Sequence, residues 1–288
     1  MVREHRVIAA LAGSPVPVAR ALALCEDDDV NDSAFYVMSR VDGVVADNVD
    51  AAGALDGAPA RGRAGRQVVD VLADLHAVDA VAVGLADAVR SGTGFLARQL
   101  SRFAEMWTRN ATRDLPAMAA LGARLSAMAP PQRHTGIVHG DYRIGNVMLA
   151  PDGTLVAVLD WELWTVGDVL ADLGFLLNNW YEPKDPTPQV FMEVPPTVTG
   201  ELGSRADVLA AYAGRTSFDV GAIDYYRGFQ HWRMAVLAEG VKRRYERAEM
   251  ANVDVDFAHL DRRVLDLVEL ADEFLARYEA AARHGPLR

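Results

Sequence analysis

Apolar residues recur at helical spacing over most of this chain. Val68, Val71, Leu72 and Leu75 make one stripe between Arg63 and Val78. Phe95, Leu96, Leu100, Phe103 and Trp107 make a second between Gly94 and Asn110, and a third helix, Leu115 to Met128, stops before Pro130-Pro131. Further on, Ser204 to Ala213 and Asp219 to Arg244 read as helices. The latter carries Tyr225, Phe229, Trp232, Val236 and Leu237 on one face and ends in Lys242-Arg243-Arg244, which complements a helix dipole. Asp256 to Ala282 closes the chain as an amphipathic helix through Phe257, Leu260, Val264, Leu267, Leu270 and Phe274. Arg3 to Leu11 also reads as a helix. The first three stripes are expected to form a bundle beneath a hairpin.

Strand-like alternation is confined to two places. Phe35 to Gly43 alternates and ends in glycine, as a linker between two lobes would. Val147 to Ala150 and Thr154 to Leu159 flank Pro151-Asp152-Gly153, a turn between two hairpin strands. Trp180 to Gly203 holds Pro183, Pro186, Pro188, Pro195 and Pro196, so it cannot be a continuous helix. A loop of that length suits a lid over an acceptor pocket, with Trp180 and Tyr181 as walls.

The chemistry concentrates on that hairpin. His139-Gly140-Asp141-Tyr142-Arg143-Ile144-Gly145-Asn146 precedes it and Leu159-Asp160-Trp161-Glu162 follows it. Asp141 and Asn146 are 5 positions apart, and Asp160 follows 14 positions after Asn146. The hairpin brings Asp160 back beside Asn146, so the two can share Mg²⁺, which takes one or two protein oxygens together with phosphate and water. Asp141 is left to face an acceptor hydroxyl, orient it and take its proton. These are the offsets of enzymes that transfer the γ-phosphoryl group of ATP.

On these residues the segment from Gly136 to Leu177 resembles the aminoglycoside phosphotransferase and choline kinase-like family, distant relatives of protein kinases. Gly140 stands where protein kinases usually carry Arg, and Trp161-Glu162 where they carry Phe-Gly, which favours the small-molecule branch. The resemblance implies an α+β, protein kinase-like two-lobe fold. It makes Asp141 the catalytic base, Asn146 and Asp160 the Mg²⁺ ligands, and His139 a brace for the loop. ATP and Mg²⁺ are the implied cofactors and a small hydroxyl compound the acceptor. Met38, Ser39 and Val41 would meet adenine, Ser39 and Val41 through the backbone and Met38 at the back of the pocket. Glu4 would take the acidic half of a Lys-Glu pair. Asp168 would cap the next helix and Asp172 would hydrogen-bond the catalytic loop from below, while His76 would be structural.

The strands expected before Glu4, with their phosphate-covering turn and basic residue, are not in the sequence. Gly53 to Gly65 lacks the strand and Lys of a phosphate loop. The expectation is therefore a truncated N-terminal lobe with linker over 1–43 and a mainly helical C-terminal lobe over 44–288. A late start or truncation is favoured over a chain that has lost its activity, because all three polar residues of the motif are intact. The rival reading is a nucleotide-binding regulatory module without turnover.

Composition narrows the partners. A net charge of -11 and a pI near 5.1 argue against nucleic acid and suit a cationic substrate. The one cysteine, Cys25, excludes an internal disulfide, points to the cytoplasm and is expected to fill core space. No apolar run reaches the length of a membrane helix. The sequence does not fix the acceptor or the oligomeric state.

Overall fold

A computed structural model describes residues 1–27, 29–90, 94–186, 194–250 and 256–284. In chain order its elements are α1 (Val2–Leu11), β1 (Ala21–Cys25), β2 (Phe35–Met38), α2 (Val49–Ala52), α3 (Gly57–Ala77), α4 (Ala86–Arg90), α5 (Phe95–Asn110) and α6 (Pro116–Ala127). There follow β3 (Thr135–Val138), β4 (Val147–Leu149), β5 (Leu155–Val158), β6 (Thr165–Asp168), α7 (Leu170–Asn178), α8 (Arg205–Arg215), α9 (Ile223–Glu246) and α10 (Phe257–His284). The described residues fall into two compact units, one of residues 1–27, 29–90, 134–186 and 194–218, the other of 94–133, 219–250 and 256–284.

The first unit carries all six strands as three antiparallel pairs. β4 and β5 are the expected hairpin, with Val147 opposite Val158 and Met148 opposite Ala157. Gly153 makes the turn at φ 85°, a conformation that glycine adopts without steric cost. β3 pairs with β6, Thr135 opposite Asp168 and Val138 opposite Thr165. The sequence reading missed that pair, although it placed Asp168 correctly at the start of the next helix. Residues 165–168 are strand because β3 supplies their partners, and the helix begins only at Leu170. β1 was also missed. It pairs with β2 through Leu24 opposite Tyr36 and Cys25 opposite Phe35, so Cys25 is half-buried on a small sheet rather than inside a core.

After β2 the chain is tied back. Ser39 N–H donates to the Arg20 carbonyl at 2.8 Å, and Arg20 N–H donates to Ser39 Oγ at 2.9 Å. Val44 and Leu149 then exchange two backbone hydrogen bonds of 2.8 Å, which fastens this segment to β4. α3 packs on α8, β3 and β5 in this unit, whereas α5 and α6, grouped with it in the sequence reading, belong to the other. Its Gly65 touches the turn before α8, where a Cβ would lie 1.9 Å from the Leu202 carbonyl oxygen. Close packing is the reason for a glycine in this helix. α8 itself starts with a capping box between Ser204 and Asp207.

The second unit is helical: α5 and α6 pack on α9, and α10 lies along α9. Trp232 donates its indole N–H to the Met118 carbonyl at 3.0 Å, and Gly122 lets α6 come close to that ring. Glu239, fully buried on α9, accepts from Thr112 N–H at 2.8 Å and Thr112 Oγ1 at 2.6 Å. Lys242 was expected at a basic helix end that complements the helix dipole. It is buried and pairs with Asp261 at 2.6 Å, because α10 lies over that end of α9. No helix among the described residues is long and apolar enough to cross a membrane.

Overpacking a site this close costs about 1–3 kcal/mol. Gly65→Ala is therefore expected to lower Tm by several degrees in scanning calorimetry, and an unchanged Tm would refute the close approach.

Candidate active site

The loop that leaves β3 at Val138 is held from beneath by one carboxylate. Asp172 lies in the first turn of α7 and is fully buried. It accepts His139 N–H on Oδ2 at 2.6 Å and Gly140 N–H on Oδ1 at 2.8 Å. This is the contact expected for Asp172. His76 Nε2 is 3.4 Å from the same Oδ2, and His76 Nδ1 is 2.6 Å from the Tyr212 hydroxyl. Burial first, then the negative charges of Asp172 and Asp168, push the Tyr212 hydroxyl well up, so it keeps its proton. His76 thus bridges the Tyr212 hydroxyl and the Asp172 carboxylate. His76 is structural as expected, while Tyr212 carried no signal in the sequence. Asp168, buried at the end of β6, accepts from Leu170 N–H at 3.3 Å at the start of α7.

Above this support the backbone turns sharply. Gly140 sits at φ 89°, and a Cβ there would lie 2.8 Å from the Leu163 carbonyl oxygen. A side chain at 140 is excluded on both grounds. His139 is buried, accepts Asp141 N–H on Nδ1 at 3.2 Å and donates from Nε2 to the Leu159 carbonyl at 2.8 Å. Its ring centroid is 4.7 Å from that of Trp161. One imidazole thus fixes Asp141, two residues on, and the residue that follows β5.

Asp141 and Asn146 are in direct contact. Asn146 Nδ2 donates to Asp141 Oδ2 at 2.7 Å and to the Asp141 carbonyl at 2.8 Å. Both partners are acceptors, which assigns the amide and leaves Oδ1, the hard donor, for a cation. Leu159 N–H donates to the Asn146 carbonyl at 2.8 Å, which puts Asp160 one residue beyond that junction. Asp160 is exposed and sits at φ 60°, ψ 64°. Among the described residues only Asp160 and Ala248 are non-glycines with positive φ. Such a conformation costs about 1–3 kcal/mol and persists where surrounding structure imposes it, commonly at functional positions.

Glu4 reaches the same neighbourhood. Tyr36 donates its hydroxyl to Glu4 Oε2 at 3.2 Å. Burial raises the pKa of Tyr36, and the charges of Glu4 and Asp160 raise it further, so both carboxylates bear on one phenol. α1 is fixed there by a reciprocal pair: Arg3 Nη2 donates to the Trp164 carbonyl at 2.7 Å, and Trp164 Nε1 donates to the Arg3 carbonyl at 2.8 Å. Met38, 46% exposed, ends β2 opposite Ala21. Ser39 has its N–H committed to Arg20, and Val41 is half-buried two residues on. Trp180 is not a pocket wall. It is 1% exposed and donates its indole N–H to the Gly203 carbonyl at 2.9 Å, so it anchors the chain after α7. Tyr181 is half-buried. Part of the expected lid, residues 187–193, lies outside the described residues.

No group of three or more His, Cys, Asp or Glu able to hold a metal ion occurs among the described residues. One amide oxygen and one carboxylate fit a cation that draws its remaining ligands from phosphate and water.

The family model described as "Phosphotransferase enzyme family" matches residues 1–192. The chain belongs to this family. A candidate aminoglycoside phosphotransferase from Ralstonia eutropha JMP134 has a similar structure, at TM-score 0.80 and 31% identity over 96% of this chain and 83% of that one. A choline/ethanolamine kinase family protein from Mesorhizobium loti shares the fold at TM-score 0.61 and 18% identity, over 99% of this chain and 83% of that one. The fold is thus α+β and protein kinase-like, with a small N-terminal lobe and a helical C-terminal lobe. Among curated relatives, mouse acyl-CoA dehydrogenase family member 10 is 31% identical over 84% of this chain and 22% of its own length. Chicken acyl-CoA dehydrogenase family member 11 is 35% identical over 63% of this chain and 23% of its own length. The chain spans about a quarter of the length of these two relatives.

The support for the loop has a measurable consequence. A buried acceptor of two N–H groups that loses its charge forfeits about 1.5–3 kcal/mol. Asp172→Asn is expected to lower the free energy of unfolding by that order in urea denaturation. Unaltered stability would mean that the carboxylate does not carry the loop.

Proposed function

We propose that this chain transfers the γ-phosphoryl group of ATP to a hydroxyl of a small molecule. The observation that carries the reading is the Asp141–Asn146 contact at the open end of a hairpin whose return strand leads to Asp160 in a strained conformation. Asn146 Oδ1 and the Asp160 carboxylate would hold Mg²⁺. When bound, the ion neutralises charge on the phosphates. Asp141 orients the acceptor hydroxyl through one carboxylate oxygen, while Asn146 fixes the other, and it takes the hydroxyl proton as the new bond forms. His139 and Asp172 hold the loop so that Asp141 does not have to reorganise. Residues 1–43 would form the nucleotide lobe and linker, with Met38, Ser39 and Val41 beside adenine and Glu4 acting through α1, and residues 44–288 the catalytic lobe. Because the Ser39 N–H is committed, its carbonyl is the group that would serve adenine.

The acceptor is open within one chemical class. The structural neighbours include a protein described as an amicoumacin kinase, at 15% identity, and the curated relatives carry acyl-CoA dehydrogenase names. A screening panel therefore spans aminoglycosides, amino alcohols, hydroxy acids and hydroxylated acyl thioesters.

Radiolabelled phosphate transfer from ATP over that panel tests the reading. The wild-type chain is expected to show Mg²⁺-dependent product that EDTA abolishes, with Asp141→Asn lowering kcat by about 10²–10⁴-fold. Asp160→Ala is expected to remove turnover at any practical Mg²⁺ concentration. Nucleotide binding without product across the panel would favour a regulatory module instead.

A further inference from the structure

Arg143 lies between Asp141 and Asn146 and has no part in the roles given above. Its backbone is extended, at φ -152° and ψ 167°, and its side chain runs to Asp47, where Nη1 meets Oδ1 at 2.5 Å. The two residues are 96 positions apart, so the loop's tertiary placement makes the pair. Gly145 provides the seat. A Cβ at 145 would lie 2.1 Å from both Arg143 Nη1 and Asp47 Oδ1, so the pair rests against its α-carbon. The backbone at 145 is not left-handed, which leaves the seat as the reason for this glycine.

The two partners differ in exposure. The Arg143 side chain is 19% exposed and the Asp47 side chain 50%. The guanidinium is thus largely enclosed, while its counter-charge stands at the solvent edge. The Asp47 contact uses Nη1, and among the described residues no other hydrogen bond to the Arg143 side chain is recorded. The rest of its planar N–H fork, shaped for a carboxylate or phosphate, is available. An ion pair with one partner so open costs little to break.

We propose that Arg143 is the anchor for an oxyanion carried by a substrate, and that Asp47 is the resident carboxylate this oxyanion displaces. The proposal rests on the phosphotransferase reading for the placement of substrates around Asp141. The oxyanion comes either from the nucleotide's γ-phosphate or from a carboxylate or phosphate on the acceptor. In the second case the chain prefers acidic hydroxyl compounds to cationic ones, against what its net charge of -11 suggests.

The two partners of the pair carry opposite expectations, which separates this role from a structural one. Inorganic phosphate is titrated calorimetrically into the full chain, without turnover. Asp47→Asn is expected to bind phosphate about three- to ten-fold more tightly than wild type, because a competitor for the guanidinium is gone. Arg143→Gln is expected to lose phosphate binding, and Gly145→Ala, which keeps both charges but removes their seat, to weaken it. Equal phosphate affinity in wild type, Asp47→Asn and Arg143→Gln, or no binding to wild type, overturns the proposal.

Two further arms identify the source. If it is the nucleotide, Asp47→Asn tightens AMP-PNP and leaves ADP unchanged. If it is the acceptor, both nucleotides bind the variants as they bind wild type, and Arg143→Gln raises KM for anionic acceptors but not for uncharged ones. A chain that binds phosphate as described but transfers none to any acceptor would sink the phosphotransferase reading and leave the anion seat standing.

Discussion

One buried carboxylate organises this site. Asp172 has no contact with solvent, yet two backbone N–H groups of the loop and the His76 imidazole converge on it. A carboxylate buried this way is tolerable only if its oxygens are satisfied. The loop, in turn, finds acceptors for its N–H groups only if it adopts the turn that glycine allows at 140. Each condition enforces the other. What the turn delivers is Asp141 beside Asn146, at the mouth of a hairpin whose return strand leads back to Asp160.

The same economy runs through the surrounding elements. His139 spends one ring nitrogen on Asp141 N–H and the other on the carbonyl that precedes Asp160. α1 is joined to the segment after Asp160 by reciprocal bonds between Arg3 and Trp164, and that junction places Glu4 and Asp160 where both act on Tyr36. The chemistry proposed here thus depends on positions set by hydrogen bonds, several of them to the charged groups Asp172, Arg3 and Glu4, and by packing. That is what phosphoryl transfer asks of a protein, because alignment and charge neutralisation supply most of its rate.

Sequence alone made much of this visible, for identifiable reasons. The long helices α3, α5, α9 and α10 were legible because apolar residues recur in them at helical spacing, with observed ends a few residues from expectation and six where α3 begins at Gly57, while the short α2 and α4 were not foreseen. The hairpin was legible because Pro-Asp-Gly punctuates two apolar runs. β1, β3 and β6 were not, since strands of four or five residues in two-stranded pairs show no period and take their identity from a partner distant in sequence. Trp180 was misread for a related reason. A large aromatic between prolines suggests a surface wall, and only its bond to Gly203 shows that it is buried. Tyr212 and the Arg143–Asp47 pair were invisible because each needs contacts 96 or more positions apart, and no spacing rule reaches so far.

The central claim is that Asn146 and Asp160 share one divalent cation beside Asp141. Electron paramagnetic resonance of Mn²⁺ titrated into the full chain with AMP-PNP tests it most directly. The account expects about one nucleotide-dependent Mn²⁺ per chain, lost in Asp160→Ala and weakened in Asn146→Ala, with Asp141→Asn still binding the ion. Nucleotide-dependent Mn²⁺ that persists at full affinity in Asp160→Ala would contradict it.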